Sequence, residues 1–569
     1  MIEQIKLQLK ETLESVFLNE FHTTVNVVIE APKRVEQGDL SIPVFTIAKA
    51  INKPLPETAI YIKKAIESSP YASLFSELSL VGGFLNIRFN SMAMAKSVVE
   101  NFKNNQNNYG CSELGKGKVV CIDYSSPNIA KPFSIGHLRS TIIGHALGNL
   151  LEKCSFKVVR INHLGDFGTQ FGKIIYAYQH FGNEELIQID PMNELVKLYV
   201  EFHELAKSNP AMDDEARRIF KELELGNPEY NRIWKWLRKI SLEDYMQVYQ
   251  LLKVDFDSYD GEAFYNDKMQ PVIDELTSKN LLKEDNGAMI VDLGENMPPA
   301  LIQKSDGSTL YITRDLAALF YRKNTYHFDK CLYVVGNEQK LHFEQIKAVL
   351  KKMGYDYDAA IEHINFGLVL QDGKKMSTRK GKVVKLVDVL NEAIKLSQAY
   401  IDEKSPLLEG KDLIAEKIGV SAIIFNDLKN YRVNDFEFNL EDMVRFEGQT
   451  GPYLQYTSVR ITSILNSESF EFDGAIDYSI LSRDSEFEIL KAISQYQMMV
   501  EKAALESSPS VLAKYLLNLA SLFNSYYGKE KINVENQLEK NTKKHLLAMV
   551  KSILNDGMSL LGMQIIEKM

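Results

Sequence analysis

Cysteine is scarce: four residues, at 111, 121, 154 and 331, too far apart for a zinc-binding pair or a disulfide framework. They read as reduced thiols of a cytoplasmic protein. Positive charge is not in excess. With 66 Lys and Arg against 76 Asp and Glu, the formal net charge is −10, so any RNA-binding surface has to be local. No apolar run is long enough to span a bilayer, and Glu3, Lys6, Lys10 and Glu11 interrupt the N-terminus where a signal peptide needs a continuous apolar core. Repeats and low-complexity blocks are also missing. What is present is 45% hydrophobic residues over 569 positions, enough for several domains with sizeable cores.

The chain divides on composition. Residues 1–105 open with a helix carrying Ile5, Leu9, Leu13 and Phe17 on one face, continue with the strand-like Val25 to Ile29, and close on the alternating Phe84 to Phe89, an α+β unit. The polar run Lys103 to Asn108 is a poor former of helix or strand and reads as a linker. Residues 116–395 alternate strands and helices as βαβ units do, which implies a parallel sheet of the Rossmann-like kind. Within them, 184–252 is charged and helical in period, an insertion that includes Trp234 and Trp236. The sheet is expected to resume at Ala288 to Val291. Residues 396–569 are helical almost throughout, an all-α bundle.

The stretch from Val119 to Leu150 organises the rest. Val119 to Asp123 is a short apolar strand ending in an acid, and Ser125-Ser126-Pro127-Asn128 is turn chemistry. A helical period follows at Leu138, Ile142, Ala146, Leu147 and Leu150, with Ser134 as N-cap. A helix N-terminus offers free N–H groups and a positive dipole end, so it suits a polyphosphate. Gly136 lets a base or phosphate approach the backbone, and His137 can donate to phosphate oxygens. An ordinary strand-turn-helix would look the same on these residues alone.

Further on, Tyr311 to Asp315 opens a helix, and Gln339 and His342 follow the strand Leu332 to Gly336, at the carboxyl end where open α/β sheets bind ligands. By itself Asp315 reads better as a helix N-terminal acid than as a ligand, and Gln339 carries the same discount. Residues 371–385 hold six basic side chains against the single acid Asp372.

Several of these stretches match a known pattern. Ser125 to Pro132 leading into Gly136-His137-Leu138-Arg139-Ser140-Thr141 resembles the first signature of class I aminoacyl-tRNA synthetases, and within that class the arginyl family. Lys374-Lys375-Met376-Ser377-Thr378-Arg379-Lys380-Gly381 resembles the second, and Phe446 to Tyr456 resembles the opening of the arginyl family's anticodon-binding domain. Two positions depart from it: Ser134 stands where the first signature usually has His, and Thr378 where the second usually ends in Lys.

The resemblance implies an arginine–tRNA ligase whose substrates are ATP, L-arginine and tRNA(Arg), with Mg2+ accompanying ATP and no zinc. It gives 1–105 a contact with the outer corner of the tRNA and 396–569 the anticodon. It assigns catalysis to His137, Lys375, Ser377 and Lys131, the last as a substitute for the missing lysine. It assigns ATP to Ser134, Gly136, His137, Lys375, Met376 and Ser377. Arginine falls to Asp123, Asn128, His137, Tyr311, Asp315 and Gln339, and tRNA bases to Tyr453 and Tyr456. A cytoplasmic monomer with no membrane partner is expected. Two other readings stay open, a different class I adenylate-forming ligase and a non-catalytic tRNA-binding paralogue.

Overall fold

The computed structural model describes every residue except Met1, Lys33, 305–310, Ser377, Lys380, Gly381, Glu468, Ser469, Glu471 and Asp473. The N-terminal unit has a core of its own. Helix α1 (Ile2–Phe21) buries Ile5, Leu9, Leu13 and Phe17 against α2 (Val44–Ile51), α3 (Leu55–Glu67) and a three-stranded antiparallel sheet. In that sheet β3 (Phe84–Phe89) lies between β1 (Leu40–Pro43) and β2 (Phe75–Val81). The stretch Val25 to Ile29 is not a strand. Its Val25 and Val27 are buried, but the Val27 N–H goes to Glu14 Oε1 (3.0 Å), and among the described residues the bridge nearby is Glu30 with Ser41.

Helix α4 (Ser91–Asn105), capped by Asn90 Oδ1 on the Ala93 N–H (3.1 Å), runs into the stretch expected to be a linker. Burial of Val98, Val99 and Phe102 holds the asparagine-rich turns helical, so tertiary packing overrides propensity there.

The parallel sheet has the order β10-β9-β4-β5. Strand β4 (Val119–Asp123) leads through the first signature into α5 (Leu138–Lys153), then β5 (Lys157–Ile161) and α6 (Thr169–Phe181). The insertion follows as α7 (Glu184–Ile189), α8 (Pro191–Ser208), α9 (Ala211–Glu224) and α10 (Pro228–Leu252). After α11 (Met269–Ser278) come three strands, β6 (Leu282–Asp285), β7 (Ala288–Val291) and β8 (Ala300–Gln303). The parallel sheet does not resume at Ala288. These three strands form a separate antiparallel sheet, because Asn286 and Gly287 both take positive φ (50° and 80°) and reverse the chain in a two-residue hairpin. The main sheet is completed after α12 (Tyr311–Tyr326) by β9 (Lys330–Tyr333), α13 (Lys340–Met353) and β10 (Ile361–His363).

Successive residues of β4 face opposite layers: Val120 and Ile122 join the core under α5, and Cys121 joins the one under α12 and α13. Helix α5 lies close to the sheet only because residue 144 is glycine; a Cβ there would stand 2.2 Å from Tyr124 Cγ.

A second small sheet carries the second signature. Strand β11 (Val369–Gln371) pairs antiparallel with β12 (Lys374–Lys375), and a short hairpin of β13 (Thr378–Arg379) and β14 (Lys382–Val383) follows. Two helices, α14 (Leu386–Lys404) and α15 (Lys411–Leu428), then pack side by side before β15 (Phe436–Glu437) returns to pair in parallel with β11. The remainder is helical: α16 (Leu440–Met443), α17 (Gly451–Asn466), α18 (Tyr478–Leu481), α19 (Asp484–Ser494), α20 (Tyr496–Leu505), α21 (Pro509–Lys529) and α22 (Gln537–Leu560). One continuous apolar core joins α4, α5, the insertion and this bundle. Among the described residues no helix is long and apolar enough to cross a membrane.

Candidate active site

A crevice opens at the carboxyl ends of β4 and β9. Past Asp123 the chain enters the left-handed region at Ser125 and Ser126 (φ 71° and 47°), and bonds hold it there. Ser125 donates its N–H to Ser140 Oγ (2.9 Å) and shares its hydroxyl with Thr141 Oγ1 and Tyr249 OH (2.8 Å each). The rest of the loop hangs on α10. Ser241 Oγ accepts from the Ala130 N–H (3.1 Å), and Tyr245 OH lies 2.7 and 2.6 Å from the carbonyl oxygens of Asn128 and Lys131.

The loop ends in a 3-10 turn, Ile135–His137, on which Ser134 and His137 cap one another. The Ser134 N–H faces His137 Nδ1 (3.1 Å), the contact made by the Nε2–H tautomer, and Ser134 Oγ and O lie 3.2 and 3.3 Å from the same nitrogen. Burial pushes the imidazole down to about 4, opposed in part by the Ser134 backbone and aided by Lys131, so the ring is neutral around pH 7. It stacks on Phe133 with ring centres 5.2 Å apart.

Backbone bonds bring the segment after the basic loop against this turn. Ile135 N–H reaches Val384 O (3.0 Å), Leu386 N–H reaches Phe133 O (2.9 Å), and Ser134 bridges Lys385. A cavity of about 130 Å3 lies beside the turn, lined by Gly136, Arg139, Gly336, Glu338, Lys375 and Met376 among others. It joins residues that are more than 200 positions apart in sequence.

Across the crevice, Asp315 accepts from His342: Nε2 lies 2.5 Å from Oδ2, linking α12 to α13. Tyr311, one turn earlier, is 69% exposed, and Gln339 ends an exposed 3-10 turn at the start of α13. Asp123 is buried, with Oδ2 2.8 Å from Arg322 Nη2 and Oδ1 accepting from Ser126 Oγ (2.9 Å). Asn128 is exposed beside Gly165, where a Cβ would stand 2.2 Å from Asn128 Oδ1.

Three family models match. "tRNA synthetases class I (R), catalytic domain" covers residues 98–440, "DALR anticodon binding domain" 454–569, and "Arginyl tRNA synthetase N terminal domain" 3–89. The arginine–tRNA ligase of Enterococcus faecalis is 48% identical over 546 residues, 96% of each chain. Arginine–tRNA ligase 1 of Bacillus cereus is 46% identical over 568 residues, 99% of this chain and all of that one. The chain belongs to the class I arginyl-tRNA synthetases. The solved synthetase of Plasmodium falciparum superposes with a TM-score of 0.80 at 26% identity, over 100% of this chain and 99% of that one. That of Thermus thermophilus shares the fold, with a TM-score of 0.83 at 23% identity over 99% of both.

On this family frame the expected residues fall into three places. Ser134, Gly136, His137, Lys375 and Met376 gather at or beside the small cavity, Lys375 exposed and Met376 buried, with exposed Lys131 on the loop before the turn. Ser377 lies outside the described residues. Asp315 is tied to His342, Tyr311 lies exposed one turn before it on α12, Gln339 lies exposed at the start of α13, Asn128 is on the signature loop, and Asp123 is paired with Arg322. Tyr453 and Tyr456 are in the bundle, on a cavity of about 690 Å3 shared with Tyr400, Phe446, Arg460 and Met569. There the Arg460 guanidinium lies over the Tyr456 ring at 4.7 Å.

Sequence reasoning passes over two groups and one pairing. Ser241, Tyr245 and Tyr249 carry a readable signal, polar residues four apart on a face of α10 that is otherwise apolar. His342 was placed near the site without its carboxylate partner. Glu262 gave no sequence signal; it lies 3.3 Å from Arg314 Nη1, and burial pushes its carboxyl up to about 7 against the pull of that cation, with Asp315 adding to the rise. Among the described residues no group of three or more His, Cys, Asp and Glu can hold a metal ion.

Proposed function

We propose that this crevice performs both half-reactions of arginine–tRNA ligation. The arginine carboxylate oxygen attacks the α-phosphorus of ATP, and pyrophosphate leaves. The terminal ribose hydroxyl of tRNA(Arg) then attacks the arginyl carbonyl, and AMP leaves. The observation that carries this reading is the backbone contact between the two signature segments at Ser134 to Leu386, which sets Gly136 and Lys375 on one cavity.

The roles follow from chemistry. His137 donates through Nε2–H as a neutral group, and Lys375, with Lys131 and Ser377, meets the phosphates as charge develops. Magnesium is expected to ride on the triphosphate, whose oxygens and bound water satisfy a hard cation. Asp315 takes the substrate guanidinium, because a planar set of donors matches a carboxylate in a way that lysine cannot reproduce. Tyr311 flanks it, and Asn128 and Gln339 take the amino and carboxylate ends. Asp123 lies beneath, with both oxygens engaged, and shapes the floor. Tyr453 and Tyr456 stack tRNA bases. The protein acts as a cytoplasmic monomer.

Aminoacylation with each amino acid and total tRNA tests this. Charging with arginine alone is the expected result; charging with another amino acid, or none at all, overturns it.

A further inference from the structure

One buried residue that the mechanism leaves idle is Arg139, two positions after His137. Its side chain is 1% exposed. Nε donates to both oxygens of Asp427 on α15 (3.1 and 3.2 Å), and Nη1 donates to the Asn434 carbonyl (3.0 Å). The guanidinium carbon lies 5.1 Å from the ring centre of Phe436 and 5.8 Å from that of Phe366. Nη2 is buried without a hydrogen-bond partner among the described residues. A buried donor left unpaired is costly, and native structures leave few of them.

Arg139 is also a wall of the 130 Å3 cavity. That volume is below the roughly 300 Å3 at which a pocket encloses a whole drug-sized ligand. It suits one end of a nucleotide, and its apolar wall of Phe366, Leu368, Val369 and Met376 suits a flat base, with Lys375 at the same cavity for the phosphates. A purine and its ribose carry acceptor nitrogens and oxygens that suit a fixed, planar donor.

We propose that Arg139 is a nucleotide-binding residue whose Nη2 donates to an acceptor on the nucleoside end of ATP, and that Asp427 is the positioning residue that fixes the guanidinium for that bond. The inference rests on the reading of the cavity as the ATP site. It gives a residue of α15 a part in holding the nucleotide without touching it.

The test separates this role from a structural one. A buried ion pair replaced by apolar side chains of similar volume often keeps the fold, whereas removal of one partner leaves the other uncompensated. The double variant Arg139→Met/Asp427→Met is therefore expected to melt near the wild type yet to raise the KM for ATP about 10-fold or more, as for a lost hydrogen bond to a charged donor. The KM for arginine should stay within about twofold, well under 1 kcal/mol. A folded double variant with wild-type ATP KM overturns the inference. If the double variant does not fold, Arg139→Lys decides it: the charge opposite Asp427 remains but the fork of donors is gone, so the ATP KM should rise, and an unchanged value overturns the inference. Gly136→Val, which fills the cavity mouth, serves as control. If it raises the ATP KM while the Arg139 variants do not, only this inference falls. An unchanged ATP KM in Gly136→Val overturns the reading of the cavity and the inference with it.

Discussion

Asp315 and His342 face one another across the start of α12 and α13, with Nε2 2.5 Å from Oδ2. Among the described residues no hydrogen bond is made to Asp315 Oδ1. The imidazole fixes one oxygen of the carboxylate, and on the proposed reading the other takes a substrate donor.

Asp315→Asn should therefore weaken arginine and spare ATP. The side chain is 30% exposed, so the loss of a hydrogen bond to a charge, about 1.5–3 kcal/mol or roughly 10- to 100-fold in arginine KM, applies rather than the larger penalty of a fully buried pair. Arginine KM, ATP KM and melting temperature measured together decide the role. A lowered melting temperature beside an unchanged arginine KM would make Asp315 a helix N-terminal acid and nothing more.

His137→Ala should slow adenylate formation by about 100-fold, the cost of one preorganised donor. Ser134→Ala should cost less, since the Ser134 N–H that fixes the ring belongs to the backbone. Because the folded ring titrates near 4, below the ordinary 6.5, the fold binds fewer protons than the unfolded chain between those values. The neutral ring's contribution to stability is thus complete above about pH 6.5 and is lost as pH falls toward 4. Pyrophosphate exchange followed from pH 8 to 6 should show no inflection that disappears in His137→Gln.

Tyr245→Phe removes the hydroxyl lying between the carbonyls of Asn128 and Lys131. These bonds are only partly buried, so their loss costs about 0.5–1.5 kcal/mol. We expect the loop to loosen and kcat/KM for arginine to fall several-fold, with the circular dichroism of the fold unchanged. Wild-type kinetics would show that α10 plays no part in shaping the crevice.

Order of binding is the fourth expectation. Helix α5 starts at the crevice, and its far end is tied to the bundle: Lys153 Nζ lies 3.0 Å from Asp556 Oδ2 on α22, and Asn149 donates to the Leu560 carbonyl (3.3 Å). A bundle that holds tRNA therefore touches the same helix that opens at the nucleotide. Arginine-dependent pyrophosphate exchange should stay near background until tRNA is added. Strong exchange with no RNA present would refute this.

The elements that carry a strong local period were readable in the sequence: β4, α5, β5, α12 and the helical bundle lie where apolar spacing puts them. The misplaced ones were settled by something that spacing does not carry. Within Val25 to Ile29 the Val27 N–H goes to Glu14 instead of a neighbouring strand, and Lys103 to Asn105 is helical because Phe102 is buried. Ala288 to Val291 belongs to a separate antiparallel sheet, and Asn286-Gly287 is the local signal for that hairpin. At the site, the family resemblance pointed to Asp315 and His137 where residue types alone did not, and pairing is tertiary. That Asp123 spends both oxygens on Arg322 and Ser126, and that Arg139 reaches Asp427, depends on positions up to 288 apart.

Strand β15 has a further consequence. It sits downstream of two long helices, yet it is the parallel partner of β11, from which the basic loop springs. A chain cut after Lys404 would keep every residue of both signatures and still lose the edge against which that loop is braced, together with Asp427. The protein cannot be pared down to a minimal nucleotide-binding fragment by trimming from its C-terminal side. The two halves of the molecule are interleaved rather than strung end to end, and any split form or recombined chimera must carry the segment through Glu437 with the catalytic half.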